Sequence, residues 1–202
     1  MVQDLNTIRA ITVTDMVMVV GDIIGFSTIA EGTDDRLLLE NIDRLYAELR
    51  RILSLHHGTL SNYVGDAFFA TWEAVAGAAS DAARAALTFA VEAAEAMPRI
   101  AAGLGLRDPG GGPVRMGWGV AAGPAAVSQL TGMLVTVLGD ATNVAFRLSG
   151  LAGRDGRDGR PGVLVTGAVH HATTASFAFT PPSAISVKGR SQAVEVLGAS
   201  RL

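Results

Sequence analysis

Cysteine is absent from this 202-residue chain, and aromatic residues make up only 5% of it. The absence of cysteine excludes disulfides, thiol catalysis and thiolate metal ligands, and it is compatible with a reducing compartment. Charged residues are also scarce, at 17%, and the formal net charge is −3 at pH 7. An acidic balance with few aromatic rings lacks the features typical of nucleic-acid binding, so we expect no nucleic-acid partner.

Long hydrophobic runs are missing as well. Apolar stretches such as Met16–Val20 are far shorter than the ~20 residues that a membrane-spanning helix needs. The first residues contain no basic segment followed by an apolar one, so no signal peptide is predicted. The apolar fraction of 49% nevertheless suits one well-filled domain at this length. We predict an N-terminal lead-in at residues 1–12 and one domain at 13–202, cytoplasmic and without membrane contact.

The secondary-structure patterns follow the order β-α-β-β-α-β-β-α-β, with a terminal hairpin. A run of β-branched residues before Gly21-Asp22 predicts the first strand, and leucines at helical spacing after a predicted N-cap at Thr33 predict the first helix. Two strands at 59–72 are predicted to turn at Gly65-Asp66. An Ala-rich helix is predicted from Glu73 to Met97, ending at Pro98. This order predicts an α+β fold: a ferredoxin-like βαββαβ core with additional strands and helices.

Two aspartates, Asp22 and Asp66, each follow a glycine at a predicted strand end. If the first strand lies beside the hairpin, the two carboxylates converge, and a hard divalent cation would relieve their repulsion. Mg²⁺ is usually held by one or two carboxylates together with substrate phosphates, so the pair indicates nucleotide chemistry. Each residue alone is more typical of an ordinary turn than of a metal site. The two aspartates by themselves therefore leave both interpretations open.

Four segments of the chain carry a family resemblance. They are VVGDIIGFSTIAE at 19–31, GTLSNYVGDAFFATW at 58–72, VTVLGDATNVAFRL at 135–148 and ISVKGR at 185–190. In this order they resemble the signatures of class III nucleotidyl cyclases, the third being a Gly-x-x-x-Asn-x-x-x-Arg arrangement. The resemblance extends over about residues 13–197 and implies the class III cyclase catalytic fold.

The resemblance implies a metal site for two divalent cations, Mg²⁺ or Mn²⁺. The family's two metal-binding aspartates fall on Asp22 and Asp66, and the backbone carbonyl of Ile23 is expected to join them. Carboxylate and carbonyl oxygens suit both cations.

The resemblance also implies residues that act on the nucleotide. Asn143 would orient the ribose, and Arg147 would meet the charge that develops on the α-phosphate. These two residues are four apart and share one helical face. The family's late phosphate-binding lysine falls on Arg190, with Lys188 two residues earlier. An arginine fork suits phosphate oxygens.

Two expected base-reading positions depart from the family pattern. Asn62 stands where adenylyl cyclases of this family have lysine, and Thr136 stands where they usually have aspartate. Both side chains can hydrogen-bond a purine edge. The segment between Pro124 and Gly139 is also shorter than usual and lacks a basic cluster. The resemblance implies conversion of ATP to 3′,5′-cyclic AMP and pyrophosphate, by metal-assisted attack of the ribose 3′-hydroxyl on the α-phosphate, at sites shared between the two chains of a homodimer. The alternatives are a GTP-using cyclase and a weak or inactive homologue that acts as a nucleotide-binding or dimerising regulatory module.

Overall fold

The computed structural model describes residues 11–108, 110–130, 134–153, 162–187 and 190–202. Strands and helices alternate along the chain much as the sequence patterns predict. The elements are β1 (Thr12–Ile23), α1 (Phe26–Glu31), α2 (Asp35–Leu55), β2 (Thr59–Val64), β3 (Ala67–Glu73), α3 (Ala79–Gly103), β4 (Met116–Leu130), β5 (Leu134–Leu138), α4 (Asp140–Ser149), β6 (Val163–Thr166), α5 (Gly167–Thr173), β7 (Ala178–Phe179), β8 (Ser183–Ile185) and β9 (Val194–Ser200).

The sheet has the order β2-β3-β1-β4-β6-β9-β7, with β5 paired to β4 and β8 paired to β9. The first four strands in this order pair with one another antiparallel. Helix α2 connects β1 to β2, and α3 connects β3 to β4. This is the strand order of a ferredoxin-like βαββαβ unit, to which the later strands are added through the parallel pairing of β6 with β4. The α+β prediction is therefore confirmed.

Strand β1 is buried on both faces because side chains alternate along a strand. Val17 and Val19 face the core formed with α2 and α3, whereas Met16, Met18 and Val20 face the core formed with α4. Of the helices that the structure describes, none combines the length and apolarity needed to cross a membrane. The central strand is thus held from both sides up to the point where Asp22 follows.

Three predictions about helix ends are wrong. Helix α3 begins at Ala79 rather than at Glu73, which is the last residue of β3. Pro98 does not end α3, which continues through it to Gly103. Ile100 and Ala101 beyond the proline are buried, and their burial offsets the roughly 3 kcal/mol that an internal proline costs. The N-cap of α2 is Asp34 rather than Thr33, because the Asp34 side chain accepts hydrogen bonds from the backbone N–H groups of residues 36 and 37. The Thr33 hydroxyl instead donates to the carbonyl of Ile29.

Candidate active site

Asp22 lies near the end of β1, where the strand is paired with β3 on one side and β4 on the other. Its backbone is opposite Gly117 of β4. The preceding Gly21 lies against the indole ring of Trp118, and a Cβ at Gly21 would come within 2.5 Å of that ring. Glycine at this position therefore allows the buried Trp118 to pack directly against the backbone beside Asp22. The position of Asp22 is set by the core behind it.

Asp66 lies in the tight turn between β2 and β3. Gly65 before it has φ +62°, a left-handed conformation that glycine adopts without strain. Because Phe68 of β3 is opposite Gly21 of β1, the turn is brought beside the end of β1. Burial raises the pKa of the Asp66 carboxyl, while hydrogen bonds donated by its own backbone N–H and by that of Ile23 act in the opposite direction. The sheet register thus places the hairpin aspartate next to β1.

The two aspartates line one cleft of about 450 Å³, which we call the carboxylate cleft. It is lined by Asp22, Ile23, Ile24, Gly25, Phe26, Ser27, Asp66, Ser149 and Gly150. The convergence expected from the sequence is therefore present. The last two lining residues belong to the C-terminal end of α4, so this helix borders the cleft only at its tip.

Tyr46 of α2 lies beneath the hairpin turn. Its ring stacks on Tyr63 of β2, with centroids 4.6 Å apart, and contacts the ring of Phe68 at 5.9 Å. Its hydroxyl is buried and has no hydrogen-bond partner among the described residues. Burial raises the pKa of the Tyr46 hydroxyl far above its ordinary value, and the charges of Asp66 and Asp22 contribute to the rise. The sequence patterns did not single out Tyr46, since its approach to the carboxylates depends on how α2 packs.

The chemistry of the carboxylate cleft fits a hard divalent cation. Asp22 and Asp66 supply anionic oxygen, the ligand type that Mg²⁺ and Mn²⁺ prefer. Within the described ranges, no group of three or more His, Cys, Asp or Glu side chains is arranged to hold a metal ion. Any cation in this cleft would therefore complete its coordination with backbone, water or substrate oxygens, as Mg²⁺ at nucleotide sites commonly does.

Asn143 and Arg147 lie on the exposed face of α4, together with Asp140 at its first position. The opposite face of the helix is buried against the sheet through residues that include Val144 and Leu148. Neither Asn143 nor Arg147 belongs to the lining of the carboxylate cleft. The chain therefore presents two separate groups of predicted site residues. We call Asp140, Asn143 and Arg147 the α4 face.

Arg190 joins the α4 face through an ion pair. Its guanidinium Nη1 lies 3.0 Å from Oδ2 of Asp140, and both residues line a second cleft of about 540 Å³ between α4, α5 and β9. The predicted phosphate-binding arginine is thus connected to the helix that carries Asn143 and Arg147. Lys188, predicted to act beside it, lies outside the described residues. The sequence motifs did not single out Asp140, whose only local signal is an acid in the first turn of a helix.

The two predicted base-reading residues lie on contacting strands, β2 and β5. Asn62 is exposed, and its Oδ1 accepts a hydrogen bond of 2.8 Å from the backbone N–H of Tyr63. The pairing of β2 with β3 shifts register between Leu60 and Asn62. Thr136 lies in β5 opposite Ser128 of β4, and its side chain is outside the described part of the structure.

Comparison with known proteins agrees with this fold and these motifs. The family model described as the adenylate and guanylate cyclase catalytic domain matches residues 9–197. The chain is 30% identical over 181 residues to Adenylate cyclase 1 of Rhizobium meliloti (strain 1021), a match that covers 87% of the chain and 26% of that protein. The chain thus spans about a quarter of the length of this relative.

Solved structures share the fold at low sequence identity. The adenylyl cyclase CyaB from P. aeruginosa superposes with a TM-score of 0.81 at 20% identity, covering 96% of this chain and 97% of that one. The guanylyl cyclase Cya2 also gives a TM-score of 0.81, at 18% identity and covering 96% and 95%. The architecture is that of class III cyclase domains, and the chain belongs to the adenylate and guanylate cyclase catalytic domain family.

Proposed function

We propose that this chain converts ATP to 3′,5′-cyclic AMP and pyrophosphate. The observation that carries the proposal is the meeting of Asp22 and Asp66 in one cleft, while Asn143 and Arg147 lie on a separate exposed face. In the reaction, a bond forms between the ribose 3′-oxygen and the α-phosphorus. The bond from the α-phosphorus to the bridging oxygen breaks, and pyrophosphate and the hydroxyl proton are released.

The carboxylate cleft would bind two divalent cations, Mg²⁺ or Mn²⁺, through Asp22, Asp66 and the carbonyl of Ile23. Such cations, when bound, lower the pKa of a coordinated hydroxyl and neutralise charge on the triphosphate. Asp66 would contribute a partly buried carboxylate: burial raises its pKa, hydrogen bonds from two backbone N–H groups act in the opposite direction, and a bound cation would favour its charged form. The residues of the carboxylate cleft would therefore bind the cations and orient the triphosphate.

The α4 face would act on the nucleotide. Asn143 donates to and accepts from the ribose oxygens, which holds the 3′-oxygen in line with the α-phosphorus. The planar fork of Arg147 meets the phosphate oxygens on which negative charge increases. Arg190 and Lys188 would bind the remaining phosphates. These roles require exposure, and the exposed positions of Asn143 and Arg147 support them.

We infer that each site is shared between two chains of a homodimer. Because the two groups of residues do not line one cleft within the chain, the carboxylate cleft of one chain would face the α4 face of the other. Two equivalent sites then follow from two-fold symmetry. A point mutation in either group would inactivate both sites of a homodimer.

Mixing inactive variants tests the shared site. Asp22→Ala and Arg147→Ala should each be inactive, and their equimolar mixture should recover about a quarter of wild-type activity, as random two-chain assembly predicts. The matched control is Asp22→Ala mixed with Asp66→Ala, which share a defective half and should recover nothing. Failure of the first mixture to recover any activity would exclude the shared site. ATP and GTP are assayed in parallel, each with Mg²⁺ and Mn²⁺.

A second candidate function is that of a GTP-using cyclase, or of a very weak or inactive homologue that only binds nucleotide. The hydrogen bond of Asn62, the proposed base-reading residue, is the observation that favours it. The Asn62 side chain is engaged with the backbone of its own strand rather than extended. Metal-dependent nucleotide binding without any cyclic product, even at high protein concentration, would support a binding module. Turnover that Asp66→Ala abolishes would reject that alternative, and the relative rates with ATP and GTP decide the base.

A further inference from the structure

Asp140 has no role in the proposed chemistry, but it contacts Arg190, which is proposed to bind phosphate. Its carboxylate lies 3.0 Å from Nη1 of Arg190. Arg190 comes from the chain segment after β8, and its backbone is tied by a hydrogen bond from its N–H to the carbonyl of Val187. The ion pair is therefore a connection between this segment and the N-terminal end of α4.

Asp140 lies on the same side of α4 as Asn143 and Arg147. Asp140, Asn143 and Arg147 are spaced i, i+3 and i+7, so they lie on one side of the helix, and all three are exposed. With 1.5 Å of rise per residue, Asp140 and Arg147 are about 10.5 Å apart along the axis. Because Asp140 binds Arg190, the two arginines lie at opposite ends of the same face, with Asn143 between them.

The ion pair leaves donors on Arg190 available for a substrate. A guanidinium carries five N–H donors in a planar fork, and the contact with Asp140 is through Nη1. The Arg190 side chain is 35% exposed, so it is confined but reachable. One carboxylate can thus hold the guanidinium while other N–H groups meet phosphate oxygens.

We propose that Asp140 is a positioning residue, which holds Arg190 at the N-terminal end of the α4 face so that its guanidinium meets the triphosphate of the nucleotide. This inference rests on the proposed function and extends it to a residue that does not touch the substrate. Exposed ion pairs contribute about 0.2–1 kcal/mol. Loss of Asp140 should therefore weaken nucleotide binding about 1.4- to 5-fold.

The test is a double-mutant cycle on nucleotide binding. The probe is 3′-deoxy-ATP with Mn²⁺, which lacks the attacking hydroxyl and cannot be cyclised. Its affinity is measured for the wild-type chain, Asp140→Ala, Arg190→Ala and the double variant. We expect a loss of up to about fivefold for Asp140→Ala alone, no further loss when it is added to Arg190→Ala, and substantial rescue in Asp140→Glu. In turnover of ATP, KM should rise by the same factor and kcat should stay unchanged.

Asp81→Ala is the matched control. Asp81 also lies in the first turn of a helix, α3, and forms an exposed ion pair of 2.7 Å with Arg84. It therefore shares the dipole and surface-charge effects of Asp140 without contacting Arg190, and its affinity for the probe should equal that of the wild type.

The positioning role would be overturned if Asp140→Ala reduced the affinity for the probe equally in the presence and absence of Arg190. It would also be overturned if Asp140→Ala left that affinity unchanged or increased it. Such results with an otherwise normal wild-type protein leave the cyclase proposal standing. Absence of metal-dependent binding in the wild type would remove the proposed function and this inference together.

Discussion

Asp22 and Asp66 lie at the ends of paired strands, whereas Asn143 and Arg147 lie on the open side of a helix. The carboxylates are located by sheet register and by the packing of Trp118 against Gly21. The α4 face is exposed, and its cation Arg190 is located by a surface ion pair. The first half of the proposed site, Asp22 and Asp66, is therefore fixed by the core, and we call it the carboxylate half. The second half is the α4 face, which is exposed. Changes in the first half should affect stability and function together, whereas changes in the second should affect function alone.

The largest expected effect is that of Asp66→Asn in the carboxylate half, which should change both turnover and stability. Because Asp66 is a proposed metal ligand, Asp66→Asn should lower turnover by more than the roughly 10- to 100-fold that changes in the outer shell of a metal site cost, and it should weaken Mn²⁺ binding. The same change should raise the melting temperature of the metal-free protein at neutral pH, because burial disfavours the charged carboxylate. Turnover, free-Mn²⁺ titration and thermal denaturation measure the three quantities.

Arg147→Ala is the counterpart on the α4 face. It should lower kcat by about 10²–10³, the usual cost of removing a donor that stabilises developing charge. Its melting temperature and Mn²⁺ binding should remain those of the wild type, since the side chain is exposed. A large stability loss in Arg147→Ala, or a stability loss in Asp66→Asn, would contradict the contrast between the halves.

Local patterns predicted the carboxylate half better than the α4 face. The Gly-Asp turn between β2 and β3 and the end of β1 follow from neighbouring residues, so their positions were predicted correctly. The approach of Tyr46 to the hairpin, and the pairing of Asp140 with Arg190, join residues that are distant in the chain. Such contacts depend on tertiary packing, which periodicity and spacing do not encode. Pro98 shows the same limit, because burial beyond it overrides its local preference.

Gly21→Ala should disturb the packing of Trp118 against the backbone beside Asp22. The added methyl would meet the Trp118 ring at 2.5 Å, and overpacking of this kind costs about 1–3 kcal/mol. We expect the melting temperature to fall by roughly 2–12 °C, with weaker metal binding because the backbone beside Asp22 must shift. Gly103→Ala is the control, since a Cβ there meets nothing within 4 Å. Equal melting temperatures for the two variants would show that Trp118 adapts.

Tyr46→Phe tests the packing beneath the carboxylate cleft. The hydroxyl that this change removes is buried without a partner among the described residues, and a buried unsatisfied group costs about 1–3 kcal/mol. The metal-free protein should therefore become more stable by about 1 kcal/mol in urea denaturation, with the ring stack on Tyr63 retained. Tyr63→Phe is the control, because its hydroxyl accepts a hydrogen bond of 2.6 Å from Arg50 and its loss should give no gain. Destabilisation by Tyr46→Phe would indicate that the hydroxyl is hydrogen-bonded in solution.

The smallest expected effect comes from Glu92, which lies away from both halves and titrates in the opposite sense to Asp66. A hydrogen bond with His56, at 2.7 Å, lowers the pKa of the Glu92 carboxyl, and Arg201 contributes further. Because its folded-state pKa is lowered, Glu92 stabilises the fold above the ordinary pKa of glutamate, and this stabilisation is lost as pH falls through the folded-state value. Asp66 behaves in reverse: its raised pKa means that its cost is absent at low pH and appears as pH rises.

Thermal denaturation from pH 3 to pH 7 should therefore give two opposite trends. Relative to the wild type, Glu92→Gln should be less stable at neutral pH by about 0.2–1 kcal/mol, and the difference should vanish as the solution becomes acidic. Asp66→Asn should match the wild type in acid and exceed it at neutral pH. Parallel curves for the two variants would mean that the charge on Asp66 is compensated in the metal-free fold as fully as that on Glu92. The carboxylate cleft would then be stable without a cation, and the contrast between its two aspartates and an ordinary surface carboxylate would fail.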